Sequence, residues 1–247
     1  MDHQENSFNQ PSTAPDSFNP SSIYGDGSYL AGNRTWHAED SPWKAEQVTR
    51  LLQRNNLTPA SVCEVGCGAG EILQQLSSSF DEARFVGYER SPQAMALCKG
   101  KQTARVSYRM QDIFEDTEVF DCLLCIDVFE HVEDYMGFIT KLRSKAEYKV
   151  FHIPLDVSVL SVLHSSMLRA RQRVGHLHYF TQETAIATLV DCGYKIIDGF
   201  FTAPFNGLPT SQLKARIARL PRKVLFSISP RFAARMIGGC SYLVLAE

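Results

Sequence analysis

The chain has 247 residues, a formal net charge of −2, 44% hydrophobic and 21% charged residues. That size suits one large domain with a substantial core, and the near-neutral balance excludes a global attraction for nucleic acid, DNA included. No run of about 18 apolar residues marks a membrane-spanning helix, and the first residues lack a basic-then-apolar leader pattern. The seven cysteines are odd in number and mostly sit inside apolar runs. They read as reduced thiols of a cytoplasmic protein rather than a disulfide framework.

Residues 1–22 are rich in Asn, Gln, Ser, Pro and Asp and read as a disordered tail before a domain spanning 23–247. Tyr24, Tyr29 and Trp36 then bring in aromatic residues. In Asp40-Ser41-Pro42-Trp43, Ser41 suits a helix cap and Pro42 the first turn, with the helix running on through Leu52. Strands are predicted at Ser61–Val65, Arg84–Glu89, Val106–Gln111, Val119–Asp127, Tyr148–Ile153, Lys195–Phe201 and Ser241–Ala246. Helices are predicted at Gly70–Ser79, Pro92–Gly100, Tyr135–Lys145 and Gln182–Asp191, the last capped by Gly193. This alternation indicates a doubly wound α/β sheet. The connection 206–239 breaks the rhythm, since it reaches the last strand with no strand between.

Glu64-Val65-Gly66-Cys67-Gly68-Ala69-Gly70 joins a buried strand to a helix start through three glycines at alternate positions. Such a turn lets backbone N–H groups approach a ligand closely. Nineteen residues past Gly70 the second strand ends in Glu89, where an acid can accept hydrogen bonds from both hydroxyls of a ribose. Asp112 and Asp127 follow the third and fourth strands. The dinucleotide pattern G-x-G-x-x-G is not met, because Glu71-Ile72 stands where its third glycine is due. Cys122 and Cys125 form a C-x-x-C on a strand, which aims the two side chains at opposite faces and argues against a metal pair.

From Trp43 to Glu247 the chain resembles the class I S-adenosylmethionine-dependent methyltransferases. The resemblance is clearest in Glu64–Gly70, Gly87-Tyr88-Glu89, Gln111-Asp112 and Phe120–Asp134. It implies a Rossmann-like, doubly wound seven-stranded sheet with an antiparallel C-terminal strand and S-adenosylmethionine as cofactor. It places Glu64 near the methionine part, with Gly66, Cys67, Gly68 and Gly70 as the turn. Glu89, with Arg90 beside it, falls to the ribose, Asp112 and Ile113 to the adenine, and Asp127, Val128 and His131 to the cofactor wall. No metal is implied.

Two insertions, about 155–178 and 206–239, are read as helical caps on the acceptor side. Leu160, Leu163, Met167 and Ala170 keep the spacing of one helix, as do Leu213, Ile217, Leu220 and Val224, with Pro221 as an interruption. Their apolar faces are expected to pack on the sheet. Arg169, Arg171 and Arg173 crowd the first, and Lys214, Arg216, Arg219, Arg222, Lys223, Arg231 and Arg235 the second, which suits an anionic small-molecule acceptor or weak contact with a membrane surface. Histidine has the intrinsic pKa of a general base, and His178, then His176 and His152, are the catalytic candidates. Those histidines, and the lack of the asparagine-proline motif typical of many amino methylases, favour methyl transfer to oxygen. An RNA or protein methyltransferase, or a catalytically silent cofactor-binding regulator, are the competing readings.

Overall fold

The computed structural model describes residues 33, 35–36, 38–208 and 213–247, and the side chains of 213–218 are left aside. The expected tail 1–22, Tyr24, Tyr29 and the side chains of Leu213, Lys214, Arg216 and Ile217 lie outside the described residues. Seven strands, β1 (Ser61–Val65), β2 (Arg84–Tyr88), β3 (Val106–Arg109), β4 (Phe120–Ile126), β5 (Ala146–Pro154), β6 (Ile196–Thr202) and β7 (Ser241–Ala246), form one sheet in the order β3-β2-β1-β4-β5-β7-β6. Pairing is parallel from β3 to β5, and β7 runs antiparallel between β5 and β6. The winding reverses between β1 and β4, and a crevice opens beyond the carboxyl ends of the strands at such a point.

Strands β1 and β4 are buried nearly throughout because helices cover both faces of the sheet. Helices α1 (Ser41–Arg54) and α2 (Glu71–Ser77) close one face, with Val48, Leu51, Leu52, Leu73 and Leu76 buried against Val62, Phe85 and Leu124. On the other face α4 (Tyr135–Leu142) and α7 (Gln182–Asp191) pack Ile139, Leu142, Ala185 and Leu189 on Val86, Leu123 and Phe151. Helix α3 (Pro92–Leu97) follows β2 and is capped by Ser91, whose Oγ accepts from the Ala94 N–H. Cys122 falls in the first core and Cys125 in the second, the opposite faces that their spacing predicts. All seven cysteines are free and buried.

The departures from the predicted elements have local causes. Ser41 is the first helical residue rather than a cap, because a 3-10 turn at Ala38–Asp40 leads directly into α1. Strand β4 stops at Ile126 because Asp127 turns to a positive φ of 53°. The 155–178 segment is two helices, α5 (Val159–Leu163) and α6 (Ser166–Val174), broken where Ser165 takes a φ of 51°. Neither helix has a buried residue, and Leu160, Val162, Leu163 and Leu168 are exposed, contrary to the packed face expected of them. After β6 come α8 (Pro204–Gly207), α9 (Leu213–Ile228) and α10 (Pro230–Met236). Pro221 lies inside α9 without ending it. Leu220, Val224, Ile228 and Phe232 are exposed, while Ala234, with Leu155, Phe205 and Cys240, forms a third, smaller core that anchors α10.

A 3-10 turn at Phe129–His131 carries β4 toward α4. Phe129 is fully buried, with Tyr135, Phe151 and Phe180 at ring-centroid distances of 6.3, 6.2 and 5.3 Å. This aromatic cluster fixes the turn from which Val128 and His131 reach the crevice. Replacing Phe129 with alanine leaves a cavity among groups that cannot all collapse, so Phe129→Ala should lower unfolding free energy by about 3–4 kcal/mol in urea titration.

Candidate active site

The carboxyl ends of β1, β2, β4 and β5 open into a cleft of about 1000 Å³. The turn after β1 forms its floor. Gly66, Gly68 and Gly70 all have positive φ, between 55 and 74°, and the Gly66 and Cys67 N–H groups bond the Tyr88 carbonyl at 2.8 and 3.1 Å. A Cβ on Gly68 would stand 2.7 Å from Cδ1 of Trp36, so this aromatic ring lies directly on the turn. Trp36 and Trp43 both line the cleft. Trp43 also meets His152 edge-on at 6.2 Å.

Glu89, at the end of β2, is tied to the turn. Its Oε2 accepts from the Gly68 N–H at 2.9 Å, and its Oε1 accepts from the N–H groups of Arg90 and Ser91 at 2.8 and 2.7 Å. Burial raises its pKa, and those three N–H groups offset part of that rise. Glu64, inside β1, is 2% exposed and lines the cleft, yet its Oε2 has no hydrogen-bond partner. Burial pushes its carboxyl well above the usual carboxylate range.

Asp127 holds the opposite wall. Its carboxylate lies 2.7 Å from Lys44 Nζ of α1 and 2.6 Å from His152 Nδ1 of β5, while His152 Nε2 lies 2.8 Å from Thr202 Oγ1. Burial works against both charges, but the pairing prevails and Asp127 is held far below its ordinary range. Lys44 is likewise raised, with Asp127 overcoming the effect of burial. Lys44 falls on the apolar face of α1, four residues before the buried Val48. A cation on such a face signals a buried acidic partner, and this was the signal in the sequence that could have found it.

Beyond Asp127, His131 and His176 line the cleft with ring centroids 4.9 Å apart, and Glu130 is fully buried behind them. The His131 Nε2 is 3.7 Å from Glu130 Oε1, and neither carboxylate oxygen of Glu130 has a hydrogen-bond partner. Burial and the charge of Asp127 push Glu130 up to about 8. Burial and the neighbouring His176 bring His131 down to about 4. For His176 burial is outweighed by Asp156, whose Oδ2 lies 2.5 Å from Nδ1, and the imidazole is raised. Asp156 carries no motif and was not singled out by the sequence.

The residues predicted for the site therefore divide. Glu64, Gly66, Cys67, Gly68, Glu89, Arg90, Asp127, Val128, His131, His152 and His176 line one cleft, whereas Gly70, Asp112, Ile113 and His178 do not. Gly70 precedes α2 and its carbonyl accepts from the Tyr108 hydroxyl. Asp112 caps a 3-10 turn by accepting from the Phe114 N–H and pairs with Arg90 at 3.6 Å, and Ile113 belongs to the core. His178 lies against Tyr135, with its Nε2 2.9 Å from the Val132 carbonyl, which fixes that nitrogen as a donor. His152 lines the cleft, but both ring nitrogens are engaged by Asp127 and Thr202. Among the described side chains, none of the basic residues of α9 and α10 lines the cleft, whose wall carries six carboxylates (Asp40, Glu64, Glu89, Asp127, Glu133, Asp134) against Lys44 and Arg90.

A glycine turn under the winding reversal, an acid ending β2 and an unpartnered buried acid in β1 fit a cationic nucleoside ligand. The sheet order and this cleft define the class, a class I S-adenosylmethionine-dependent methyltransferase. The solved magnesium protoporphyrin IX methyltransferase of Synechocystis PCC 6803 with bound SAH superposes with a TM-score of 0.62 at 17% identity, over 92% of this chain and 98% of that one. The N-methyltransferase NodS of Bradyrhizobium japonicum WM9, in complex with S-adenosyl-L-homocysteine, gives 0.54 at 17% identity, over 90% and 98%. At that identity the likeness is one of fold. The family model described as a methyltransferase domain matches residues 36–198, and the chain belongs to this family. Relatives named ubiquinone biosynthesis O-methyltransferase are 26% identical over 116 residues in Rickettsia typhi and 28% over 119 residues in Xanthomonas oryzae pv. oryzae. The matches cover 45% and 43% of this chain and 44% and 49% of the relatives, so the chain spans about half the length of the curated relatives it matches.

Gly68→Ala would bring a Cβ into Trp36 at a φ of +55°. Glu89→Ala would free three N–H groups and remove the acid at the end of β2. Each should weaken S-adenosylhomocysteine binding by about tenfold or more in isothermal titration; unchanged affinity in both would place the cofactor elsewhere.

Proposed function

We propose that this chain transfers a methyl group from S-adenosylmethionine to a hydroxyl oxygen of a small, neutral acceptor that has an apolar part. The unpartnered Glu64 carboxylate beside the glycine turn carries the cofactor half of this reading, since a buried acid with no donor suits the ammonium of the cofactor's methionine end. Glu89 would take the ribose hydroxyls and Trp36 would shield the turn from water. When bound, S-adenosylmethionine supplies a methyl group activated on a sulfonium, which leaves as a neutral thioether.

The wall's excess of carboxylates disfavours the anionic acceptor that the basic cap suggested. Val174 at the end of α6, Pro204 at the start of α8 and Pro154 supply apolar lining on the acceptor side. The exposed Leu220, Val224 and Ile228 of α9, beside Lys223, suit weak contact with a membrane surface. The named activity of the curated relatives supports oxygen as the methylated atom. A cytoplasmic setting is supported by the seven free thiols.

An acceptor hydroxyl must lose its proton as the bond to carbon forms. Three histidines touch the matter, and the geometry separates them. His152 is saturated by Asp127 and Thr202, and His178 faces away with Nε2 donating. His176 faces the cleft with Nδ1 held by Asp156, and together with His131 and Glu130 it forms the place where that proton leaves. Removing a group that assists proton transfer costs about 100-fold or more. His176→Ala should lower turnover by about that factor while leaving S-adenosylhomocysteine affinity unchanged, and His178→Ala should change turnover by less than about threefold. A labelled-methyl assay over hydroxylated small molecules, with both variants run beside the parent chain, tests this; loss confined to His178→Ala would reverse the assignment.

A further inference from the structure

Glu130, His131 and His176 place three ligand atoms within 4.8 Å of one another. Both oxygens of the fully buried Glu130 lack a hydrogen-bond partner. A buried carboxylate is normally paired, hydrogen-bonded or bound to a metal. The first two are not met here, since its two oxygens accept no hydrogen bond and His131, whose Nε2 stands at 3.7 Å, is held neutral by burial.

The surroundings are built to hold this cluster. The Leu177 and His178 N–H groups donate to the Glu130 carbonyl at 2.8 and 3.2 Å, which pins the segment after α6 to the turn after β4 and sets His176 beside Glu130. Asp156 engages His176 Nδ1 at 2.5 Å, leaving Nε2 to face the other two residues. The His131 ring hydrogen-bonds to the backbone of Gly175. A carboxylate or carbonyl behind each imidazole is the arrangement that orients metal-ligating histidines.

We propose that Glu130, His131 and His176 bind one first-row divalent cation at the acceptor side of the cleft, with Asp156 as a positioning residue behind His176. Two imidazoles and one carboxylate match zinc(II) best by ligand type and leave a fourth position open. Ligand atoms around zinc sit roughly 3.3 Å apart, so side-chain movements of about 1 Å complete the site. Both histidines line the cleft, so the open position faces the acceptor. An acceptor hydroxyl bound there would release its proton to water more readily, as metal-bound water does. This role rests on the methyl-transfer reading, whereas the site itself does not.

The test therefore uses the full chain, stripped with a chelator and kept free of cofactor and acceptor, titrated with zinc(II) against a chromophoric chelator. One equivalent should bind to the parent chain. Glu130→Gln and His176→Ala should each lose it, and Asp156→Asn, which offers no ligand atom, should weaken it by about tenfold or more. Cobalt(II) loading should give a visible spectrum without a thiolate band, which separates this site from the buried cysteines. S-adenosylhomocysteine affinity, measured on every variant, reports folding and the cofactor site independently. No tight equivalent in the parent chain, or equal retention by Glu130→Gln and His176→Ala, overturns the metal site and leaves the methyltransferase reading intact. Tight zinc with no cofactor binding does the reverse.

Discussion

The cleft is organised around the carboxylate of Asp127. It sits where β4 ends, in a left-handed backbone conformation that aspartate tolerates better than most residues. From there it reaches Lys44 on α1 and His152 on β5, and His152 passes the link to Thr202 at the end of β6. One side chain thus joins the helix that precedes the sheet to three strands within it. Desolvating both Lys44 and Asp127 costs several kcal/mol, and their attraction repays it only when the remaining polar positions are also satisfied. His152 and Thr202 supply that satisfaction. The arrangement also positions Trp43, one residue before Lys44, over His152.

Using Lys44 on Asp127 has an electrostatic consequence. It leaves the other buried acids of the cleft, Glu64 and Glu130, without a cation in hydrogen-bond range. Each is forced toward its neutral form by burial. A cationic ligand beside either would restore the charged form and gain the interaction energy that the fold alone does not collect. The two acids lie on different parts of the site, Glu64 by the glycine turn and Glu130 behind the histidines, so on the proposed reading they meet two different positive groups.

Much of this was legible in the sequence because it depends on local pattern. Alternating apolar runs and glycine breaks gave all seven strands, two of them to the residue, and the glycine turn with Glu89 located the cleft. The ends of elements were less legible where a single backbone angle decides them, as at Asp127 and Ser165. The cap helices were misjudged because helical apolar spacing does not say what the face meets; α5 and α6 expose theirs. His178 was ranked ahead of His176, yet only His176 lines the cleft, since which of them reaches it depends on how the chain bends when two successive N–H groups bond one carbonyl of Glu130. Asp156 and Glu130 were missed for the same reason, as their partners come from distant segments.

The distribution of unsatisfied groups then separates structure from function within one fold. Among the described residues, the buried side-chain oxygens without a partner belong to Glu64 and Glu130, and both acids border the cleft region rather than the core beneath the sheet. A fold that satisfies its other buried polar groups so fully gains nothing in stability from leaving these open; apolar residues at the same positions would avoid the desolvation cost. On the proposed reading their stabilising partners come from outside the chain, and binding those partners adds its free energy to that of folding. On the proposed reading the cleft holds in reserve the interactions that its ligands complete, Glu64 toward the cofactor and Glu130 toward the acceptor.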